Sequence, residues 1–506
     1  MLCVLVVFIL TFHTSCSTDN APTYTAGDEL IKMAEAYEQK AYYHSAEEYY
    51  VLARKAFLEE GNEKSARFCR WKTVDMQKIT ETYNIPQDKL FEVMKHYNEN
   101  YTQGDLNTWL AENRLVHMIM DGVPWYFESC FTNLSYRYPH VMERDDNLQA
   151  SINMFTGLLL HFLNNRQESE TVHSNPRRYE ASHTIEIPRD KLPQSGALKI
   201  WLPFPIETQA QTDIEIVSIT PEGWHKQGPD IDSDIGCVYF EIPLDQLETD
   251  LYVEVRFRFT HYETRYSVDT DEVEAYDKNS EIYKKYTGES ENTVISPEIR
   301  QKSAEILGDE TNPYLQARLI YRYIVENIRY GLTPHNANDA LNHPTSVFVH
   351  DEGYGDCGAH AIYFTALCRA AGIPARSTGG NELIVPGGSG HIWAEYYIPG
   401  YGWIPVDPSL GVVVSLSRNT DVETREMMID YLGGNLDPYR LIFQNDTDLS
   451  IVPPEEEPSF FGVSFQSPRA ECREMEEIPS IMIIDHHKWK VEELDLQGEC
   501  GRSCFL

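Results

Sequence analysis

Basic residues are scarce in this sequence. Its 506 residues include 42 Lys and Arg against 79 Asp and Glu, which leaves a formal net charge of −37 at pH 7. Binding to nucleic-acid phosphates requires clustered Lys and Arg, so the composition argues against nucleic acid as a partner. We interpret the acidic surplus as a solvated, self-repelling surface.

The N-terminus lacks a hydrophobic run long enough to cross a membrane. It contains nine consecutive apolar side chains, at positions 2–10, whereas a spanning helix needs about 20. A short apolar core predicts an export signal over residues 1–20, although no Lys or Arg precedes it. Cys16, after Thr14 and Ser15, stands where a lipoprotein signal carries its lipidated cysteine, with His13 where an aliphatic residue is usual. We therefore expect an extracytoplasmic protein, either secreted or attached to the membrane at the cell surface through a lipidated Cys16.

No regular cysteine spacing is present. Ten cysteines are scattered along the chain, so the sequence indicates no disulfide framework. Cys500 and Cys504 in the tail suggest a pair, but we favour two unpaired thiols near a frayed terminus.

The region 21–165 has a helical pattern with few Pro and Gly. Its first part places Ala34, Tyr37, Ala46, Tyr50 and Ala53 at spacings that resemble the small and aromatic positions of one tetratricopeptide repeat. A second copy near "GNEKSARFCRW" is degraded. We expect a helical domain with one tetratricopeptide-like hairpin, and a peptide-binding array is the open alternative.

A polar linker near residues 166–178 precedes a region of alternating apolar and polar residues. Segments such as "ALKIWLPFP", "CVYFEIP" and "LYVEVRFRFTHYETRY" predict an antiparallel β-sandwich domain over residues 179–268. Residues 290–450 return to a mixed α+β pattern and contain the candidate catalytic residues. Residues 451–506 form an acidic C-terminal extension.

One cysteine stands at the start of a predicted helix, in "GYGDCGAHA" at residues 353–361. Asp356 is a preferred N-cap residue, which places Cys357 in the first helical turn. The positive end of the helix dipole favours the thiolate there, and the thiolate is the nucleophilic form of cysteine.

Two predicted strands follow, "HIWAEYYI" and "GWIPVDP". His391, Trp393 and Glu395 share one face of the first strand, and Asp407 ends the second. If residues 398–400 form the loop of a hairpin, the numbers of paired residues sum to 798 and His391 lies directly opposite Asp407. Such neighbours are close enough to interact, although a bulge could shift the register by one.

A thiolate, an imidazole and a carboxylate are the parts of nucleophilic acyl transfer. His360, three residues after Cys357, is a weaker candidate for the base because no carboxylate partner is evident. Cys368 is predicted to be a core residue. His486 and His487 point to opposite faces and have no further ligand at suitable spacing, so we predict a surface position instead of a metal site.

The stretches "GYGDCGAHAIYFTALCRAAGIPAR", "GHIWAEYYIPGYGWIPVDPS" and "LGGNLDPYRLIFQND" resemble the transglutaminase-like domain of microbial proteins, over about residues 296–446. The resemblance implies a papain-like fold with Cys357 as nucleophile, His391 as general base and acid, and Asp407 as orienting carboxylate. It requires no cofactor, and no loop with the spacing of a calcium site is found. The Cys357 amide is one expected oxyanion donor, but no side chain for that role is evident.

These observations predict a multidomain protein: a repeat-like α-helical N-terminal domain, an antiparallel β-sandwich, and an α+β papain-like transglutaminase core. The expected activity is that of a thiol enzyme, related to cysteine proteases, acting on amide bonds of peptides or proteins. We favour hydrolysis over protein-glutamine acyl transfer because "GGNELIVPGGSG", just before His391, offers no extended apolar wall against water. A non-catalytic surface-binding or assembly protein is the alternative of another class, and the intact Cys, His and Asp set argues against it.

Overall fold

The computed structural model of the protein describes residues 25–385, 389–457, 463–475, 479–495 and 500–505. The predicted export signal and Cys16 lie outside these residues, as do the side chains of Cys500 and Cys504. Among the helices of the described ranges, none has the length and apolar character needed to cross a membrane. The prediction of a mixed α and β chain is confirmed, and its larger sheets are antiparallel.

The N-terminal region begins as consecutive packed helices. Thr25 caps the first helix through a reciprocal pair of hydrogen bonds with Asp28. Ala34, Ala46 and Ala53 are fully buried, which allows the helices to approach closely. The elements are α1 (Ala26–Glu38), α2 (Tyr43–Glu59), α3 (Glu63–Thr82), β1 (Ile85–Pro86), α4 (Leu90–Tyr97), α5 (Gln103–Ala111), β2 (His117–Met120), β3 (Val123–Tyr126), α6 (Cys130–Arg137), α7 (Pro139–Met142) and α8 (Asp146–Asn165). After α3, a small antiparallel sheet in the order β1–β3–β2 is interspersed with the helices. The repeat-like character of the N-terminal helices stays a prediction.

Long alternating strands follow from residue 173. They are β4 (His173–Ile187), β5 (Ala197–Pro203), β6 (Gln211–Thr220), β7 (His225–Gln227), β8 (Cys237–Pro243) and β9 (Leu251–Arg265). Strands β4 and β9 pair along almost their whole length, and alternate residues of β9, such as Val253, Val255 and Phe257, are buried. β5 pairs with β8 in a second sheet whose buried side chains join the same core.

The region with the candidate catalytic residues places helices against a four-stranded antiparallel sheet, in the order β14–β13–β12–β16. Its elements are α9 (Glu281–Tyr286), α10 (Pro297–Leu307), α11 (Pro313–Asn327), β10 (Arg329–Tyr330), α12 (His335–Ala340), α13 (Thr345–Glu352), β11 (Tyr354–Gly355), α14 (Cys357–Ala370), β12 (Ala375–Glu382), β13 (Ser389–Ile398), β14 (Gly402–Val406), α15 (Pro408–Ser415), α16 (Val422–Leu432), β15 (Asn435–Leu436) and β16 (Arg440–Gln444). Helix α14 is buried along most of its length and packs on β12 and β13.

The C-terminal segment supplies strands to the two sheets that contain β4 and β5. Its elements are β17 (Arg469–Glu471), α17 (Pro479–Ile484), β18 (His487–Leu494) and β19 (Cys500–Phe505). β18 pairs with β4, and β17 pairs with β5. The sheets therefore combine strands that lie about 300 residues apart in sequence, as His487 opposite Ile185 illustrates.

The predicted register of the β13–β14 hairpin is wrong by two residues. The observed pairs, from Ile398 with Gly402 to Ala394 with Val406, sum to 800, not to 798. The loop starts one residue later than expected because the chain turns at Pro399 and Gly400, and the Tyr401 amide donates to the Ile398 carbonyl. Gly400 has φ +84°, so Pro and Gly occupy the positions that a type II turn favours. A shift of two keeps each side chain on its predicted face.

Candidate active site

Helix α14 begins at Cys357, and Asp356 is its N-cap, as predicted. The Asp356 Oδ1 atom accepts a hydrogen bond from the Ala359 amide at 3.1 Å. Its Oδ2 atom accepts from the Thr333 amide at 3.1 Å and from His335 Nε2 at 2.8 Å. Burial would raise the pKa of Asp356, but His335 and the amide donors lower it to about 2. These three donors fix the Asp356 carboxylate, and Asp356 directly precedes the thiol residue.

The Cys357 thiol is the accessible one among the cysteines whose side chains the structure describes. Cys357 is partly exposed, and the others are buried: Cys69, Cys130, Cys237, Cys368 and Cys472. Burial raises the pKa of Cys368 well above its ordinary value, as expected for a core residue. A thiol reagent should therefore distinguish Cys357 from these five buried thiols.

The packing of α14 on the sheet brings its first turn to the level of His391. Far from the thiol, Thr365 and Ser377 are hydrogen-bonded through their hydroxyls at 3.0 Å. At the first turn, Ile392 is so close to Gly358 that an added Cβ would lie 3.0 Å from its Cδ1 atom. The Cys357 thiol interacts with the His391 side chain and contributes to its raised pKa, so the helix start and the imidazole meet at one end of the sheet.

His391 and Asp407 form a direct buried pair. His391 Nε2 donates to Asp407 Oδ2 at 2.8 Å, and the two residues are 6% and 0% exposed. Burial would lower the pKa of His391, but Asp407 and then Cys357 overcome this effect and raise it to about 10. With Nε2 bound to the carboxylate, Nδ1 is the ring nitrogen left to exchange a proton with the thiol.

The contact between His391 and Asp407 was predicted from the sequence, but the strand pairing from which it was predicted is different in the structure. His391 is not opposite Asp407 in the ladder: it pairs with Gly380 of β12, beyond the last β13–β14 pair. Asp407 follows β14 as the N-cap of α15 and reaches His391 from that position. The residues share a face as expected, but the diagonal offset and the cap geometry create the contact.

Asp407 has donors on both carboxylate oxygens. Oδ1 accepts from the Leu410 amide and the Ser409 hydroxyl, each at 3.0 Å. Oδ2 also accepts from Arg440 Nη1 at 3.0 Å. Although burial favours the neutral acid, His391, Arg440 and the Leu410 amide hold the Asp407 pKa well below its usual range. The carboxylate is thus fixed in orientation and in charge.

Arg440 was not identified from the sequence as a site residue. It begins β16, is 0% exposed, and forms ion pairs with Asp407, Glu382 at 3.1 Å and Asp437 at 2.7 Å. Its guanidinium carbon lies 5.2 Å from the centre of the Trp393 ring. The quoted stretch "DPYRLIF" contains Arg440, but only the pairing of β16 with β12 places it beside the site.

Tyr330 is a second residue that the sequence did not single out. It pairs in parallel with Gly355, two residues before Cys357, and its ring stacks on His360 with centroids 6.0 Å apart. Burial raises its pKa well above the ordinary value, and the nearby Cys357 adds to this rise. Tyr330 is therefore a candidate for the missing oxyanion donor.

The rival residues have other partners. His360 is fully buried, and its Nδ1 donates to the Asp356 carbonyl at 2.8 Å, so the imidazole is held within its own helix. Burial lowers its pKa. Glu395 accepts from Arg376 Nε at 2.6 Å, whereas Trp393 lies 6.1 Å from His391 between ring centroids. Trp393 flanks the imidazole, and Glu395 belongs to a separate ion pair.

Of the remaining predicted features, the glycine-rich run contributes Glu382 to the contacts of Arg440, and His487 begins β18. Leu383 and Ile384 of the glycine-rich run are buried, while residues 386–388 of that run lie outside the described part. His487 Nδ1 is hydrogen-bonded to His183 Nε2 at 3.0 Å. Over the described ranges, no group of three or more His, Cys, Asp and Glu is placed to hold a metal ion.

Comparison with known families locates one domain. Residues 300–408 match the model of the Transglutaminase-like superfamily. This match includes Cys357, His391 and Asp407. The chain therefore contains a transglutaminase-like domain, and the resemblance noted from the sequence motifs is confirmed over these residues.

Two relatives align with parts of the chain. An uncharacterized protein of Haemophilus influenzae is 29% identical over 182 residues, which are 31% of this chain and 49% of that protein. A protein-glutamine gamma-glutamyltransferase of Pseudomonas aeruginosa is 32% identical over 130 residues, 24% of this chain and 18% of the enzyme. The chain thus spans about half of the first relative and less than a fifth of the second.

Two solved structures are more distantly similar. A crystal structure from Cytophaga hutchinsonii, provisionally named a cysteine protease, has a TM-score of 0.38 and 16% identity, covering 60% of this chain and 93% of its own. The periplasmic domain of TgpA from Pseudomonas aeruginosa has a TM-score of 0.25 and 13% identity, covering 52% and 95%. At these values the likeness determines neither the domain arrangement nor the function.

Proposed function

With a transglutaminase-like domain at residues 300–408 as the premise, we propose that this protein is a thiol enzyme acting on amide bonds of peptides or proteins. Cys357 is the nucleophile, His391 the general base and acid, and Asp407 the orienting carboxylate. The observation that carries the proposal is the buried 2.8 Å bond from His391 Nε2 to Asp407 Oδ2, beside a thiol at a helix N-terminus. The bond fixes the tautomer that directs Nδ1 to sulfur.

The first half of the reaction forms a thioester. The thiol proton passes to His391 Nδ1, and the thiolate attacks the carbonyl carbon of the substrate amide. The Cys357 amide and the Tyr330 hydroxyl are the proposed donors to the resulting oxyanion. The imidazolium then gives its proton to the leaving nitrogen, the carbon–nitrogen bond breaks, and the acyl group remains on sulfur.

In the second half, a nucleophile takes the acyl group from sulfur. With water, His391 accepts a proton as the oxygen attacks, the carbon–sulfur bond breaks, and a carboxylic acid leaves. With an amine, the same steps give a new amide. The triad serves both routes, so access to the thioester decides between them.

Hydrolysis is the favoured route. Leu383 and Ile384 are buried in the core, and the adjoining Val385 is partly buried against it. The apolar part of the run before His391 therefore provides no extended exposed wall to exclude water. Protein-glutamine acyl transfer is the second candidate, because the Pseudomonas relative carries the name of a protein-glutamine gamma-glutamyltransferase. The extracytoplasmic location and attachment through Cys16 remain part of the proposal and rest on residues 1–20.

The test compares both routes in one assay. The wild-type protein is incubated with a glutamine-containing protein and a labelled primary amine, and peptide cleavage, glutamate formation and amine incorporation are measured by mass spectrometry. We expect cleavage or glutamate formation to exceed amine incorporation, and Cys357→Ala to abolish every product.

Cys368→Ala is the matched control, since Cys368 is a buried thiol on the same helix. It should leave the products unchanged if the protein remains folded. Amine incorporation in excess of hydrolysis would instead support acyl transfer. Product formation that persists in Cys357→Ala would contradict the thiol mechanism.

A further inference from the structure

Beside the proposed triad lies a buried ionic cluster, formed by Arg440, Asp407, Glu382 and Asp437. Each of the four is at most 5% exposed. Arg440 binds Asp437 through Nη2 at 2.7 Å and through Nε at 3.3 Å. Burying one guanidinium with three carboxylates costs free energy unless each contact is well made. A cluster kept at this cost beside the triad points to a role in the site.

One nitrogen of Arg440 is shared. Nη1 lies 3.0 Å from Asp407 Oδ2 and 3.1 Å from Glu382 Oε2. The same Asp407 oxygen accepts the hydrogen bond from His391 Nε2. Nη1 therefore pairs with both carboxylates, and the charge on Glu382 reaches the imidazole through this nitrogen and a single Asp407 oxygen.

We propose that Arg440 is a positioning residue for Asp407 and that the charge on Glu382 sets how strongly His391 holds its proton. This inference rests on the proposed function, because it concerns the imidazole assigned there to proton transfer. Neither Arg440 nor Glu382 needs to touch substrate.

The charges around Glu382 give the expected sign. Arg440, Asp437 and His391 face it, and Arg440 in turn faces Asp407 and the buried His261. Burial lowers the pKa of His261 to about 3, so this imidazole adds no positive charge at neutral pH. An ionised Glu382 stabilises the His391 imidazolium, and a protonated Glu382 does not.

Glu382 changes its charge in an accessible pH range. Burial raises its pKa, Arg440 opposes this rise, Asp437 adds to it, and the result is about 7. Above pH 7 Glu382 becomes negative and favours the thiolate–imidazolium pair of Cys357 and His391. Below pH 7 it is neutral and this support is lost. Thiolate reactivity should thus rise in a step near neutral pH.

The experiment follows alkylation of Cys357 by iodoacetamide from pH 5.5 to 9.5, with peptide mass spectrometry to isolate this thiol. We compare wild type, Glu382→Gln and Glu382→Asp. Glu382→Gln should match wild type below about pH 6 and react about threefold to tenfold more slowly between about pH 8 and 9.5, which corresponds to a shift of up to one pKa unit. Glu382→Asp keeps an ionisable carboxyl and should retain a step.

Glu395→Gln is the matched control. Glu395 shares its strand face with His391 but pairs with a different arginine, Arg376, so its profile should follow wild type. Arg440→Lys keeps the positive charge but cannot bridge three carboxylates. We expect it to lower kcat about tenfold or more while KM changes little, because a mispositioned Asp407 affects proton transfer more than binding.

The outcomes separate this inference from the proposed function. An unreactive Cys357 in folded wild type contradicts the thiol mechanism itself. A reactive Cys357 with parallel profiles in wild type and Glu382→Gln overturns the role of Glu382 alone. If Glu382→Gln loses its near-ultraviolet circular dichroism, the Glu382→Asp variant decides. A pH step in Cys357 alkylation that is displaced from the wild-type step supports the inference. A step that is lost, or that stays at the wild-type pH, contradicts it.

Discussion

Two aspartates in this molecule form nearly the same local arrangement. Asp356 caps α14 and Asp407 caps α15, each accepting a backbone amide on Oδ1, from Ala359 at 3.1 Å and from Leu410 at 3.0 Å. Each also accepts a histidine Nε2 on Oδ2 at 2.8 Å, from His335 and from His391. A cap with a bound histidine is therefore not by itself a sign of catalysis.

The surroundings of the two pairs differ. Cys357 contributes to the raised pKa of His391, whereas the raised pKa of His335 has Asp356 as its described charged partner. Asp407 also binds a buried arginine, and the third partner of Asp356 is the Thr333 amide. The comparison teaches that a neighbouring thiol and a buried cation distinguish the proposed catalytic pair from a structural one.

Replacing the two histidines should give the largest contrast. We expect His391→Ala to lower kcat/KM about 10⁴-fold or more, because proton transfer to and from Cys357 is lost. His335→Ala should lower it less than about tenfold, through loosening of the α14 cap. Turnover of the substrate found above measures both. A larger loss in His335→Ala, with the fold intact, would reverse the assignment of the two pairs.

Replacing the two aspartates should give the next contrast. Asn caps a helix as well as Asp does, so Asp407→Asn and Asp356→Asn both keep their helix caps. Any difference between the two variants therefore reports the role of the carboxylate charge that each has lost. We expect Asp407→Asn to lower kcat about 10³-fold, because the imidazolium loses its carboxylate. Asp356→Asn should cost less than about tenfold. Circular dichroism controls for folding, and equal losses would mean that both carboxylates serve the reaction.

The alkaline limit of turnover should show the smallest effect. The His391 pKa of about 10 lies above its ordinary value of 6.5, so the imidazolium persists through neutral pH and is lost as pH rises through about 10. We expect kcat/KM of wild type and Asp356→Asn to fall near pH 10. In Asp407→Asn this alkaline fall of kcat/KM should occur at a pH lower by about one unit or more, because the main charge that stabilises the imidazolium is gone. If the alkaline fall of kcat/KM stays at the wild-type pH, a group other than His391 causes it.

The sequence predicted local features of the chain better than the arrangement of distant segments. The Asp356 cap and the buried Cys368 are confirmed, because capping and helical periodicity depend on neighbours within a few residues. The hairpin register was wrong by two, because the position of Pro399 and Gly400 in the turn was misjudged. The domain boundaries and the repeat-like character of the N-terminal helices stay predictions.

The sequence alone determined where the candidate side chains stand within their own helix or strand. The spacing of Asp356 and Cys357 at a helix start, and the face that His391 shares with Trp393, follow from local backbone geometry. Only the tertiary structure brought Arg440, 33 residues after Asp407, to that carboxylate, and Tyr330 to the strand beside Gly355. Strand pairing between distant segments leaves no periodic signal in the chain, because the partner of a strand is chosen by packing and burial over the whole fold.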